Sequence, residues 1–325
     1  MTMAGLRAAV IGARGIGKHH AKWLHYEGCD VVAFVGTSDE TVVKTGEVLR
    51  DLFGFEGRGY TSIPEMLRRE QPDLVSIATP PEWHHDHVVI CAAHRVHIMC
   101  EKPIVWYEDR EPEEMMKLAE DMVDKVEGQA LVGAINTQYV AALEPYYRLC
   151  AKLGVEREAA RTLYAQMESR GARGPVSYEE IWRDLGSHPV SVMMAFCGYG
   201  RIDSKSLDVV CREKEFEAKF VYLSETGPPC ECHILCRNVP EGPLTRRFGI
   251  NGHLMDYEGR NDDQGVYKAY CTMEGEEIWW DDFMQTSFRR FVAAVKGEER
   301  PLATLRDGWA NLGFQLEILA AAKRE

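Results

Sequence analysis

The sequence is short of positive charge and contains no long apolar run. Lys and Arg number 38 against 51 Asp and Glu, which gives the 325-residue chain a formal net charge of −13. Nucleic acids and anionic membranes both favour positively charged partners, so we expect neither to be a main partner. A helix that crosses a bilayer needs about 20 mostly apolar residues, and no stretch of the sequence approaches this length. These shortages leave a small molecule as the expected ligand.

The ten cysteines are scattered through stretches with helix or strand character. A chain of this length does not need a disulfide framework, so we expect reduced thiols and a cytoplasmic location. Two stretches carry metal-ligating side chains at close spacing, CECH at 230–233 and HHDH at 84–87. The first alternates like a strand and lacks a second cysteine pair, and the second opens a helix pattern. We therefore predict no metal site.

Strand and helix patterns alternate through the first 135 residues. Amphipathic stretches with helical spacing separate short apolar runs at 8–12, 31–35, 74–78, 96–100 and 131–135. Such alternation predicts βαβ units and a parallel sheet with helices on both faces. Beyond about residue 150, stretches of period two with intervening turns predict a mostly antiparallel sheet. The expected fold class is α/β, with a doubly wound Rossmann domain over 1–128 and an α+β domain with an open sheet over 129–325.

A glycine-rich loop follows the first predicted strand and leads into a helix pattern. The loop GARGIG spans 12–17, and its ends fit the first and third glycines of the dinucleotide motif G-x-G-x-x-G. Glycines at such a turn let backbone N–H groups approach a pyrophosphate, and the dipole of the following helix favours its charge. We predict that a dinucleotide binds Gly12, Arg14, Gly15, Ile16 and Gly17.

The end of the second predicted strand lacks the acidic residue that usually recognises NAD. A carboxylate there binds the ribose 2′-hydroxyl, but the sequence reads Gly36, Thr37 and Ser38. Small hydroxyl side chains leave room for a 2′-phosphate, and Arg14 would supply a cation. We therefore favour NADP over NAD, with Thr37 and Ser38 in the cofactor site. The alternatives are that Asp39 turns back to the ribose, or that NAD binds without a carboxylate.

Polar residues follow two further strands at the edge where parallel sheets bind ligands. The stretch EKP at 101–103 comes after the fourth run, and TPP at 79–81 comes after the third. Lys102 is therefore expected to face the nicotinamide end of the pocket. The predicted cofactor contacts at this edge are Thr79, Pro80, His84, Glu101 and Lys102.

Together these motifs resemble the Gfo/Idh/MocA family of glucose–fructose oxidoreductases, inositol dehydrogenases and rhizopine-catabolism proteins. The matching residues are the glycine loop with His20 after it, ATPPEWHHDH at 78–87, CEKP at 100–103 and DLGSH at 184–188. These motifs follow one another in the order and spacing of the family, so the resemblance covers most of the chain. Arg14 and Gly36 depart from the family pattern, and both departures concern the choice of cofactor rather than the fold.

The resemblance implies roles for individual residues. Lys102 would touch the reacting oxygen, Asp184 would orient the substrate, and His188 would exchange the proton. Glu101 would reach the cofactor ribose or steady the lysine. The chemistry fits, since histidine exchanges protons near neutral pH and a lysine stabilises a developing alkoxide. The alternatives are a solvated loop lysine, an Asp184 that caps a helix, and a structural His188.

Polar and aromatic residues near these motifs would suit a polyhydroxylated ring. Arginines among them would also suit a carboxylate or phosphate on the substrate. The predicted substrate residues, besides Lys102, Asp184 and His188, are Asn136, Gln138, Tyr139, Arg170, Trp182 and Arg183. The alternative is a surface loop with ordinary charges.

The sequence thus predicts an NAD(P)-dependent oxidoreductase that transfers a hydride between nicotinamide and a hydroxyl or ketone carbon of a sugar, sugar derivative or cyclitol. On the same fold, the alternatives are a dihydrodiol dehydrogenase or an imine or pyrrole reductase. A non-catalytic dinucleotide sensor is a third possibility. We also expect a homo-oligomer, a dimer or tetramer, in which aromatic residues of the second sheet pack on another subunit unless the terminal helices cover them. These residues are Phe216, Phe220, Tyr222, Phe248, Tyr267 and Tyr270.

Overall fold

The computed structural model describes residues 5–171 and 177–324. The chain divides into two compact units, which we describe separately. The first unit comprises Met1–Asn136 and Met284–Trp309, and the second comprises Thr137–Phe283 and Ala310–Glu325.

Parallel strands form the centre of the first unit. They are β1 (Arg7–Ile11), β2 (Asp30–Val35), β3 (Arg58–Tyr60), β4 (Leu74–Ile77), β5 (His97–Glu101) and β6 (Gly133–Asn136). They form one sheet in the order β3-β2-β1-β4-β5-β6, so that the direction of winding reverses between β1 and β4. The connecting helices are α1 (Gly17–Tyr26), α2 (Asp39–Phe53), α3 (Ile63–Glu70), α4 (His84–Ala93) and α5 (Pro112–Glu127). The predicted doubly wound Rossmann sheet is confirmed.

A mixed sheet forms the centre of the second unit. Its strands are β7 (Thr162–Ser169), β8 (Gly200–Ile202), β9 (Asp208–Arg212), β10 (Glu215–Ser224), β11 (Cys230–Asn238), β12 (Arg246–Ile250), β13 (His253–Asn261), β14 (Tyr267–Met273), β15 (Glu276–Asp281) and β16 (Ala322–Arg324). In the described part of the chain their order is β15-β14-β13-β12-β7-β11-β10-β9-β16, and β8 pairs with β10. Two pairs, β7–β11 and β9–β16, are parallel and the others are antiparallel. The expected open, mostly antiparallel sheet is confirmed.

The other helices are α6 (Leu143–Lys152), α7 (Tyr178–Leu185), α8 (Ser187–Cys197), α9 (Phe283–Val295) and α10 (Leu305–Ala320). Within the first unit, Phe288 and Phe291 of α9 are fully buried in the core of the parallel sheet. Strand β6 pairs with β5, and Glu101 lies opposite Asn136. The first unit therefore takes in 129–136 and 284–309, which the sequence assigns to the second domain. The reason is that segments distant in sequence complete the sheet and cover its face.

Most of the aromatic residues expected to contact another subunit are covered within the second unit. The buried ones are Phe216, Phe220, Tyr222 and Phe248. Trp182 of α7 stacks on Phe216 at 4.3 Å between ring centroids, and Phe314 of α10 contacts Tyr222 at 5.5 Å. The prediction that these four residues face another subunit is wrong, because helices of the same unit occupy that face. Tyr267, by contrast, is 43% exposed.

Candidate active site

The glycine loop turns between β1 and α1 with two glycines in the left-handed region. Gly12 has a φ of 84° and Gly15 a φ of 63°. A Cβ at Gly12 would lie 2.9 Å from the carbonyl oxygen of Ala78, and one at Gly17 would lie 2.1 Å from the carbonyl oxygen of Gly12. Glycine is favoured at these positions for two reasons. A side chain would strain the left-handed backbone at Gly12 and Gly15, and it would clash with a carbonyl oxygen at Gly12 and Gly17. The loop leads to the N-terminus of α1, which has no capping side chain, so its amides suit a phosphate.

Arg14 and the predicted hydroxyl residues lie in neighbouring turns, because β1 and β2 are adjacent in the sheet. Arg14, Thr37 and Ser38 are all exposed. Within the described residues, the Arg14 guanidinium makes no ion pair or hydrogen bond. Ser38 caps α2, since its Oγ accepts a hydrogen bond from the backbone N of Thr41 at 3.3 Å. Asp39 is the first residue of α2 and is exposed.

Glu101 is the last residue of β5, and three hydrogen bonds hold its carboxylate. His20 Nε2 donates to Oε1 at 2.9 Å, Asn136 Nδ2 donates to Oε1 at 2.5 Å, and the backbone N of Lys102 donates to Oε2 at 3.1 Å. The other ring nitrogen of His20 lies 2.8 Å from the Oγ of Ser76. Burial alone would raise the pKa of Glu101, but His20, Lys102 and Asn136 outweigh it and hold the pKa below its ordinary value of 4.5. These contacts suit a carboxylate that steadies the backbone of Lys102.

His84 bridges the two turns that follow β4 and β5. Its ring is fully buried, with Nε2 2.7 Å from the carbonyl oxygen of Thr79 and Nδ1 3.0 Å from that of Pro103. Burial lowers the pKa of His84 below its ordinary value of 6.5. The predicted cofactor contact of His84 is corrected, because a ring enclosed between two turns has no surface for a ligand. Pro80 is exposed on the first of these turns.

Lys102 and Asn136 differ in their exposure. Lys102 is half-buried in the turn after β5. Asn136 is only 2% exposed, and its amide nitrogen is engaged by Glu101. The sequence predicts that Asn136 contacts the substrate. From the structure we instead place Asn136 with the Glu101 carboxylate that it supports. Gln138 begins a 3₁₀ turn over Gln138–Ala142 of the second unit and is half-buried.

Asp184 and His188 lie on two helices of the second unit that follow each other almost without a break. Asp184 is in the last turn of α7 and His188 is in the first turn of α8. Gly186 between them has right-handed helical angles, φ −58° and ψ −33°. Its N donates to Trp182 O at 2.7 Å, and Val190 N donates to Gly186 O at 3.2 Å. The spacing of four residues therefore corresponds to about one helical turn, and Asp184 does not cap α8.

The ring of Tyr139 contacts the ring of His188. His188 is 8% exposed, and the two rings meet edge to face with centroids 4.7 Å apart. Tyr139 also contacts Tyr257 at 5.7 Å and Phe283 at 6.2 Å. Burial raises the pKa of Tyr139 to about 12, so its hydroxyl stays protonated at neutral pH. Tyr139, predicted to contact the substrate, is buried and packs against His188.

The other predicted substrate residues of the second unit do not form one group. Trp182 is fully buried, stacks on Phe216, and donates its Nε1–H to the carbonyl oxygen of Gln315 at 3.0 Å. It is therefore a core residue, which corrects its predicted role as an aromatic plate for the substrate. Arg170 is exposed after β7, and Arg183 is half-buried in α7.

Two residues outside the predicted contacts belong with these groups. His20 faces Glu101 from α1, and its position one turn after the glycine loop was the signal in the sequence. Arg246 is the first residue of β12, and its guanidinium lies 5.9 Å from the ring centre of Tyr257. Nothing in the sequence indicates Arg246, because more than 50 residues separate it from the DLGSH motif.

The two stretches considered for metal lie in regular structure. CECH falls in β11, where Cys230 and Cys232 are buried and the residues between and after them point to the other face. HHDH opens α4. Across residues 5–171 and 177–324, no group of three or more His, Cys, Asp or Glu is placed to hold a metal ion. All ten cysteines are buried free thiols, and no helix in these ranges is both long enough and apolar enough to cross a membrane.

Comparison with known proteins gives a family for the first domain and names several relatives. The model of the Gfo/Idh/MocA family, described as an oxidoreductase family with an NAD-binding Rossmann fold, matches residues 6–128. The 4-carboxy-2-hydroxymuconate-6-semialdehyde dehydrogenase of Sphingobium is 22% identical, over 96% of this chain and 98% of that protein. The scyllo-inositol 2-dehydrogenase (NADP⁺) of Bacillus subtilis is 29% identical, over 34% of this chain and 32% of that protein.

Solved structures share the fold along the chain. UDP-N-acetylglucosamine 3-dehydrogenase from Acidithiobacillus ferrooxidans is 18% identical with a TM-score of 0.74, over 98% of each chain. Levoglucosan dehydrogenase, in complex with NADH and levoglucosan, is 12% identical with a TM-score of 0.72, over 98% of this chain and 97% of that one. The match over 6–128, the glycine loop and the sheet order identify the first domain as an NAD-binding Rossmann domain of the Gfo/Idh/MocA oxidoreductase family, and the solved structures share the fold of the chain.

Proposed function

We propose that the protein transfers a hydride between nicotinamide and a hydroxyl or ketone carbon of a sugar, sugar derivative or cyclitol. The observation that carries the proposal is the position of Lys102. It follows β5 at the carboxyl edge of the first sheet, where the glycine loop also opens, and ligands of such sheets bind at this edge. The D-glucoside 3-dehydrogenase of Escherichia coli, 30% identical over 32% of this chain and 28% of that protein, supports a sugar.

Each residue then has a task that its surroundings suit. The nicotinamide supplies the hydride chemistry, and the protein orients the substrate and moves the proton. Lys102 stabilises negative charge on the reacting oxygen, with its backbone anchored by Glu101 at 3.1 Å. His188 exchanges the proton, held by the ring of Tyr139. Asp184, one turn earlier, orients the substrate.

We further propose that NADP is preferred over NAD. An exposed guanidinium at Arg14, unpaired within the described segments, supports a 2′-phosphate there. Gly36 at the end of β2 brings no carboxylate to compete with that phosphate. Among the relatives, the Bacillus subtilis enzyme carries NADP⁺ in its name, whereas levoglucosan dehydrogenase was crystallised with NADH.

Thermal stabilisation of the purified chain by NAD, NADH, NADP and NADPH tests the cofactor. A ligand that binds only the folded state adds about 2.7 kcal/mol at 100 times its Kd. We expect the larger rise in melting temperature with NADP and NADPH. A rise with NAD and NADH alone would reverse the preference, and no rise with any of the four would reject dinucleotide binding itself. A dinucleotide that binds without turnover of any hydroxyl or ketone would favour the sensor.

We also propose a homo-oligomer through the face of the second sheet that carries its partly exposed charges. That face carries paired charges rather than the buried aromatic residues. Glu217, for example, lies 2.7 Å from Lys219 Nζ and 2.8 Å from His233 Nε2. Size-exclusion chromatography with light scattering should give the mass of a dimer or tetramer, and a monomer at micromolar concentration would reject the proposal.

A further inference from the structure

We propose that Arg246 forms a carboxylate-binding subsite in the second unit, so that the substrate of this enzyme is an acid rather than a neutral sugar. The inference rests on the proposed function, because it names a property of the substrate that His188 would serve.

Arg246 stands beside the aromatic group that holds His188. Side chains alternate along a strand, so Arg246 shares a face of β12 with Phe248. Phe248 contacts Tyr139 at 6.2 Å between ring centroids, and Tyr139 contacts His188 at 4.7 Å. The guanidinium itself lies 5.9 Å from the centre of the Tyr257 ring, which contacts Tyr139 at 5.7 Å. Two aromatic rings, Tyr257 and Tyr139, therefore connect the cation with the candidate proton-exchanging histidine.

The guanidinium of Arg246 has no anionic partner among the residues that the structure describes. The side chain is half-buried, and within residues 5–171 and 177–324 it makes no ion pair or hydrogen bond. Its contact with the Tyr257 ring is of the cation–π type, which leaves its five N–H donors unused. The adjacent Arg247 behaves differently, because it makes two hydrogen bonds of 2.8 Å to Asp256. An anion placed beside this half-buried cation would gain charge-assisted hydrogen bonds.

The surrounding charges favour a carboxylate over a phosphate as this anion. The planar guanidinium matches the two oxygens of a carboxylate. Asp184 and Asp282 lie close enough to Tyr139 for their negative charges to raise its pKa, while Arg246 opposes them. Two nearby carboxylates repel a doubly charged phosphate more strongly than a singly charged acid.

Matched pairs of small molecules test the subsite on protein loaded with NADPH or NADH. The pairs are D-glucuronate with D-glucose, and benzoate with benzyl alcohol, and binding is measured by isothermal titration calorimetry. We expect the acid of at least one pair to bind at least tenfold more tightly than its neutral partner. R246Q should weaken the binding of that acid by about ten- to a hundredfold, which is the range expected for the loss of a hydrogen bond to a charged group. It should leave the neutral molecule unchanged, with R246K in between.

R247Q is the matched control, because it removes an adjacent arginine from the opposite face of the same strand. It should leave the binding of all four molecules unchanged, and circular dichroism should confirm that each variant is folded. Acids that bind no more tightly than their neutral partners, or an acid whose affinity survives R246Q, would overturn the subsite. Failure of both NADPH and NADH to raise the melting temperature of the wild-type chain would instead overturn the proposed function.

Discussion

Replacing Glu101 with glutamine tests the network at the end of β5. Glutamine has the same shape, but it replaces one carboxylate oxygen with an NH₂ group that cannot accept a hydrogen bond. That group would stand either at Oε1, which accepts from His20 and Asn136, or at Oε2, which accepts from the backbone of Lys102. At least one hydrogen bond to a charged acceptor is lost, and its donor is left unsatisfied. Because Glu101 is only 8% exposed, water is a poor replacement. The expected cost is about 2–4 kcal/mol of unfolding free energy.

Calorimetric melting of E101Q measures this cost, and E40Q is the matched control. Glu40 makes an exposed ion pair of 2.7 Å with Lys44, with side chains 76% and 70% exposed, and such pairs contribute about 0.3–0.5 kcal/mol. We expect E101Q to lower the melting temperature by about 4–15 °C and E40Q by less than about 2 °C. If E101Q has the same melting temperature as E40Q and the wild type, the buried network contributes no net stability and the reasoning is refuted.

The difference in melting temperature between the wild type and E101Q should also depend on pH. The pKa of Glu101 lies below its ordinary value of 4.5 in the folded chain, so the unfolded chain binds this proton more tightly. The stability from the ionised carboxylate is therefore fully present above pH 4.5 and is lost as the pH falls through the folded pKa. Melting temperatures of the two proteins should converge on acidification below pH 4.5, and a gap that widens there would contradict the assigned direction.

Three further predictions concern the cofactor and the proton. R14A should weaken the binding of NADPH more than tenfold in a fluorescence titration and leave the binding of NADH unchanged. An equal loss of affinity for both cofactors would contradict the 2′-phosphate site. G17A should abolish dinucleotide binding in the same assay, because its Cβ would lie 2.1 Å from Gly12 O, and normal binding would show that the loop can shift. H188N should lower kcat by about 10²–10⁴-fold without changing the cofactor Kd, and an unchanged kcat would assign the proton to another group.

The fold of the first unit follows largely from local pattern. Strands of a parallel sheet covered on both faces are apolar runs, and β1, β2, β4, β5 and β6 all have this character. Strand β3 was missed, since a three-residue edge strand reading RGY has no such run. In the second unit, residues 207–223 alternate with a period of two throughout and yet form two strands, β9 and β10, which pair antiparallel through Phe216 and Cys211. The turn between them contains neither glycine nor proline, so no local signal marked it.

The sequence by itself determined where the candidate site residues fall along the chain, because the glycine loop, Lys102, Asp184 and His188 each belong to a short motif. Only the tertiary structure decided which side chains are enclosed. His84 and Trp182 belong to equally prominent stretches, yet one is buried between two turns and the other stacks in a core. Arg246, unpaired among the described residues, belongs to no motif. Burial and pairing depend on segments far away in sequence, and local spacing does not contain that information.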